Sequence, residues 1–133
     1  MSTPLAVVQE YFALVDAFET DAAAYAAVLH PEVVQTEYPN ALYKTLQTRS
    51  LTDILHNLRL GRELLQEPHF EVHHTRLCDD GSVQVEGQWQ ATATSDLGPL
   101  LRGQRIIAHL CLIFEFKDGL IFRQRRYPCY EIL

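Results

Sequence analysis

From Phe70 to Glu131 the chain alternates bulky apolar residues with polar or charged ones, and this two-residue period constrains its fold more than any other feature. Successive strand side chains point to opposite faces, so the alternation predicts strands with one buried and one wetted face. Asp79-Asp80-Gly81, a Gly98-Pro99 loop with Gly103, and Lys117-Asp118-Gly119 break the run. The breaks leave strands at about 70–78, 82–94, 105–117 and 119–131. The second is the cleanest. Val83, Val85, Gly87, Trp89 and Ala91 share one face, and Gln84, Glu86, Gln88, Gln90 and Thr92 the other. The last strand is predicted to carry the C-terminal residues into the sheet as core.

Ahead of this run the period is helical. Ser2 or Thr3 can cap a helix with Pro4 in its first turn, where the missing N–H does no harm. Leu5, Val8, Phe12 and Val15 recur at helical spacing beside Tyr11, Leu14 and Phe18, predicting a helix over 4–19. A second helix is predicted from Thr20-Asp21 through Leu29, stopped by Pro31. Val33 to Tyr38 reads as a short strand closed by Pro39-Asn40, followed by a connecting segment to about Arg49. Ser50 to Asp53 resembles a capping box for a third helix that buries Ile54, Leu55, Leu58, Leu64 and Leu65 and ends at Pro68. Gly61 either weakens that helix or admits a neighbouring element. Strands grouped together, rather than alternating with helices, make the class α+β. The predicted architecture is a cone: three N-terminal helices packed on a curved, mainly antiparallel sheet around a pocket.

A chain of 133 residues reads as one domain, 1–133, large enough to need no disulfide or metal staple. The net charge of −6 argues against a nucleic-acid partner, whose phosphates need a basic face. Arg123, Arg125 and Arg126 form a local basic cluster, with Arg123 and Arg125 on one strand face and Arg126 on the other. They read as a solvated or ion-paired rim. Cys78, Cys111 and Cys129 are odd in number, far apart and outside any CxxC spacing, which suits reduced thiols. With no charged-then-apolar leader and no apolar run of about 18 residues, a cytoplasmic protein without membrane attachment is expected. His69, His73 and His74 suggest a metal site, but adjacent strand residues face opposite ways, so none is expected. No Ser-His-Asp set, phosphate loop or HExxH is visible, and no cofactor is implied.

Three segments carry a resemblance. Val7-Val8-Gln9-Glu10-Tyr11-Phe12, His30-Pro31-Glu32-Val33-Val34 and Phe114-Glu115-Phe116-Lys117-Asp118-Gly119-Leu120-Ile121 resemble the nuclear-transport-factor-2-like superfamily, in its SnoaL-like, polyketide-cyclase-like branch. Glu37-Tyr38-Pro39-Asn40 and Arg126-Tyr127-Pro128-Cys129-Tyr130 resemble small bacterial proteins of that branch without an assigned reaction. The resemblance implies the cone fold. It leaves chemistry open, because the superfamily includes isomerases, dehydratases, epoxide hydrolases, cyclases and binding domains.

Against that background Tyr11 matches the helix-one tyrosine that donates to the oxyanion in ketosteroid isomerases; the alternative is a core tyrosine with a backbone partner. The isomerase base falls near Glu37 or Tyr38, and its protonated aspartate near Leu112, which cannot donate. Glu37 is a candidate base at a pocket mouth, or else a structural carboxylate. His109 is a further candidate base. Strand parity groups it with Ile107, Cys111, Ile113 and Glu115 on the outer face, unless a bulge reverses the parity. Trp89 and Tyr127 are candidate pocket walls, with Tyr38, Leu112 and Phe114 as further ligand contacts. The apolar outer face predicts a homodimer through sheet packing. The expected function is cofactor-independent proton transfer on a small apolar carbonyl compound (isomerase, cyclase or lyase), or non-catalytic binding of a small apolar ligand.

Overall fold

The computed structural model describes residues 2–96 and 98–131. Helix α1 (Pro4–Asp16) is capped by Thr3, whose hydroxyl accepts from the Ala6 amide at 3.1 Å. It buries Val7, Val8 and Tyr11 against the sheet. Phe18, just beyond α1, has a left-handed backbone (φ 50°), a conformation costly for a residue with a side chain. Its ring packs on α3 (Leu51–Leu64): a Cβ added at Gly61 would meet it at 3.3 Å. Gly61 therefore serves close packing. Helix α3 opens with the predicted capping box, the Ser50 hydroxyl and Asp53 carboxylate each accepting from the other's backbone amide. The Ser50 amide and hydroxyl hold the Asp53 carboxyl below its usual range.

The second helix is shorter than predicted. α2 spans only Ala22–Tyr25, and β1 (Leu29–Glu37) already begins where the helix was expected to end. An alanine run this short cannot sustain a helix alone. Pairing wins instead: Ile121 donates to the Val28 carbonyl at 2.8 Å, and Leu29 pairs with Ile121. Pro31 sits inside β1 where its register slips, so its missing N–H disrupts no regular ladder. Likewise Pro68 does not end α3. It lies in β3 (Leu65–Leu77), beside Glu67 (φ 52°), where the register shifts between Gln66 and His69. A bulge on an edge strand tolerates a proline.

The connecting segment holds an unpredicted strand, β2 (Gln47–Arg49), paired antiparallel with β1. β4 (Val83–Ala93), β5 (Arg105–Lys117) and β6 (Leu120–Tyr130) follow as the alternation predicts. The six strands form one sheet in the order β2-β1-β6-β5-β4-β3, antiparallel except where β1 runs parallel to β6. The fold is α+β with two long helices and one single-turn helix. The sheet's inner face presents Val83, Val85, Leu112 and Phe114 to α1, and Phe114 is fully buried among Tyr11 and Phe12. No described helix is long and apolar enough to cross a membrane.

One irregularity decides which way the last strand faces. Phe116 pairs with Ile121 but Glu115 pairs with Arg123, so Phe122 is an extra residue in β6. This one-residue bulge shifts the strand's parity. Beyond it Gln124 points inward and is 2% exposed, whereas Arg125 faces outward to Glu115.

Candidate functional site

Between α1, α3 and the inner face of the sheet lies a cavity of about 380 Å³. Its walls are mostly apolar. Tyr11, Val15 and Phe18 come from α1 and its C-terminal turn, Ile54 and Leu58 from α3, and Trp89 from β4. Two residues before Trp89 on β4, Gly87 admits a close approach of β3. A Cβ there would lie 2.3 Å from the Glu71 carbonyl and 2.7 Å from the Phe70 ring.

The end formed by β1, β2 and β6 is polar. Alternation along β1 turns Val33, Gln35 and Glu37 inward together. Gln35 and Glu37 line the cavity with Arg49 of β2, Arg126 and Tyr130 of β6, and Tyr43 of the β1–β2 loop. Arg49 Nη1 donates to Gln35 Oε1 at 2.9 Å and to Glu37 Oε1 at 3.0 Å. Gln35 in turn donates to Gln124. The other Glu37 oxygen accepts from Asn40 Nδ2 at 2.9 Å. Arg126 Nε lies 3.6 Å from Glu37 Oε1, beyond hydrogen-bond length. That nitrogen is buried and has no hydrogen-bond partner among the described residues. The Arg49 guanidinium also sits over the Tyr43 ring, 5.1 Å from its centre. Burial pushes the Tyr130 phenol up to about 12, opposed by Arg126 and helped by Glu37, so it stays a neutral donor at physiological pH.

Three predicted site residues therefore meet in one chamber: Tyr11, Glu37 and Trp89. The others do not line it. Tyr38 and Tyr127 lie outside, stacked with ring centres 4.6 Å apart and planes 9° from parallel. Tyr38 follows inward-facing Glu37, and the Phe122 bulge turns Tyr127 outward with Arg125. His109 is exposed on the outer face, 2.7 Å from a Glu131 carboxylate oxygen. The β4–β5 register is regular from Val83 to Thr92, so no bulge turns His109 inward. Leu112 and Phe114 face inward but are packed in the core, away from the cavity wall. Among the described residues, no group of three His, Cys, Asp or Glu side chains is placed to hold a metal ion.

The polar end itself went unpredicted. Gln35 was a strand residue without a role, Arg49 lay in an unassigned segment, and Arg126 read as rim. The signal that could have found it is pairwise: Gln35 and Glu37, then Gln124 and Arg126, are polar residues two apart on strands that otherwise bury apolar groups.

The SnoaL-like domain family matches residues 8–124. No curated protein matches the chain. Among solved structures, an NTF2-like protein from Burkholderia thailandensis is similar at 22% identity and a TM-score of 0.74, covering 96% of this chain and 92% of that one. A SnoaL-like polyketide cyclase from Agrobacterium tumefaciens gives 13% identity and 0.72, with coverages of 96% and 92%. An LEH-like epoxide hydrolase from M. tuberculosis gives 20% and 0.65, with 96% and 82%. At these identities the likeness establishes shared fold.

Proposed function

Because the chain belongs to the SnoaL-like domain family, we propose that it is a cofactor-independent enzyme moving a proton on a small, mostly apolar carbonyl compound held in the cavity. One observation carries the reading: a buried carboxylate, two guanidinium groups and the Tyr11, Tyr43 and Tyr130 rings converge on one mostly apolar chamber. Each carboxylate oxygen has two acceptor positions, so Glu37 keeps free lone pairs despite Arg49 and Asn40. In the proposed step Glu37 takes a proton from the carbon next to the carbonyl. The C–H electron pair moves into the carbon framework, and negative charge gathers on the carbonyl oxygen. The Tyr130 or Tyr11 hydroxyl donates a hydrogen bond to that oxygen in a chamber where such contacts exceed their strength in water. Reprotonation elsewhere gives an isomerase; attack of the carbanion on a second carbonyl gives a cyclase.

Exchange of hydrogen for deuterium at the activated carbon of 2-tetralone in D₂O tests the step without a known substrate. Wild-type protein should accelerate exchange, and Glu37→Gln should lower the acceleration by about a hundredfold or more, the usual scale of base catalysis. Exchange by Glu37→Gln at the wild-type rate would remove Glu37 as the base. A second reading, a binding domain without turnover, is favoured by the engagement of both Glu37 oxygens with Arg49 and Asn40. It expects bound 2-tetralone with no accelerated exchange.

Self-association through the outer sheet face is part of the proposal. Tyr127 is exposed there at 40%, and Cys111 and Ile113 beside it are half-buried. Sedimentation equilibrium should give a dimer mass that Tyr127→Lys reduces to a monomer mass; a wild-type monomer would contradict it.

A further inference from the structure

The charged side chains lining the cavity are Glu37, Arg49 and Arg126, two positive against one negative among the described residues. We infer that the ligand is itself a monoanion: an apolar body bearing one deprotonated oxygen acid, such as a carboxylate, seated against Arg126. This rests on reading the cavity as the ligand site, and it adds the charge of what enters.

Four features support it. First, Glu37 is matched already, since Arg49 hydrogen-bonds it directly and shares Gln35 with it. Among the described residues the second guanidinium has no carboxylate of its own within hydrogen-bond reach; Glu37, already held by Arg49, lies 3.6 Å away. Second, the Arg126 Nε donor is buried and without an acceptor among the described residues. Native proteins seldom leave such a donor unmet, and an arriving oxygen anion would meet it. Third, the surroundings are apolar, with Trp89, Ile54 and Leu58 across the chamber. Uncompensated charge there is unfavourable until a counter-charge arrives. Fourth, the chain as a whole carries −6. The positive excess is therefore local to the chamber and is not a general basicity of the surface.

The count also limits the ligand. A cation would face two guanidinium groups. A doubly charged phosphate would exceed the single positive excess. A neutral ketone would leave Arg126 uncompensated. The volume of about 380 Å³ suits a ligand near the small end of those that protein pockets enclose, such as a bicyclic aromatic acid.

The test uses two probes that share a naphthalene body and differ in the head: 2-naphthoate and the neutral ketone 2-acetonaphthone. Affinities are measured by isothermal titration calorimetry for wild type, Arg126→Gln and Arg126→Lys, each first shown by thermal melting to be folded. Wild type should bind the carboxylate at least about tenfold more tightly than the ketone, as a charge-assisted hydrogen bond predicts. Arg126→Gln should bring the two within about twofold while leaving ketone affinity nearly unchanged, and Arg126→Lys should keep part of the preference. Equal affinities in wild type, or a preference that survives Arg126→Gln, would overturn the monoanion while leaving the cavity reading intact. Failure of both probes to bind would overturn the cavity reading together with it.

Discussion

Glu37 and Arg49 are both nearly inaccessible to solvent, with side chains 5% and 8% exposed, and their atoms lie 3.0 Å apart. A buried pair of this kind is costly to break from one side, because the remaining charge stays behind without its partner. Arg49→Met would leave Glu37 with Asn40 and the more distant Arg126, and would strip Gln35 Oε1 of its donor. The expected loss is about 3–5 kcal/mol in denaturant unfolding, with much of it recovered in the Glu37→Gln/Arg49→Met double variant. A single variant within about 0.5 kcal/mol of wild type would show that the pair contributes little. At this scale the sequence was informative about identity and weak about partners. Glu37 and Tyr11 are marked out by the resemblance to ketosteroid isomerases. Nothing local reveals that Arg49, twelve positions on, will meet Glu37, since that contact depends on β2 pairing with β1.

At the level of elements, alternation was reliable where the ladder is regular and misleading where a bulge intervenes. The inward and outward sets of β4 and β5 follow directly from their residues, and the outward placement of His109 follows with them. Tyr127 does not follow, because the extra residue Phe122 shifts parity only once β6 is paired with β5. Pro31 and Pro68 misled for a related reason. Each marks an irregular stretch of strand, whereas the local rule reads proline as a helix stop. Gly87 shows what pairing demands of a single position. A methyl carbon added there would sit 2.3 Å from the Glu71 carbonyl oxygen, and neither backbone can yield cheaply. Gly87→Ala is therefore expected to cost about 1–3 kcal/mol and to lower the melting temperature. An unchanged melting temperature would mean that β3 and β4 separate more easily than their pairing implies.

For the molecule as a whole, the α+β class and the order of helices and strands apart from β2 could be read from the residues, and the SnoaL-like membership from the resemblance that short segments carry. Order was legible because periodicity and turn residues are local properties. The polar end of the cavity was not, because it is assembled from β1, β2 and β6, which meet only in the finished sheet. The central claim is that this assembled chamber receives the ligand, and one titration tests it directly. Trp89 is the sole tryptophan, so its indole N–H gives a unique signal in a nitrogen-15 spectrum, and the Arg126 Nε–H gives a second from the opposite end. Adding 2-tetralone to labelled protein should move both signals together and to saturation. Two stationary signals, with shifts confined to outer-face residues such as His109 and Tyr127, would contradict it.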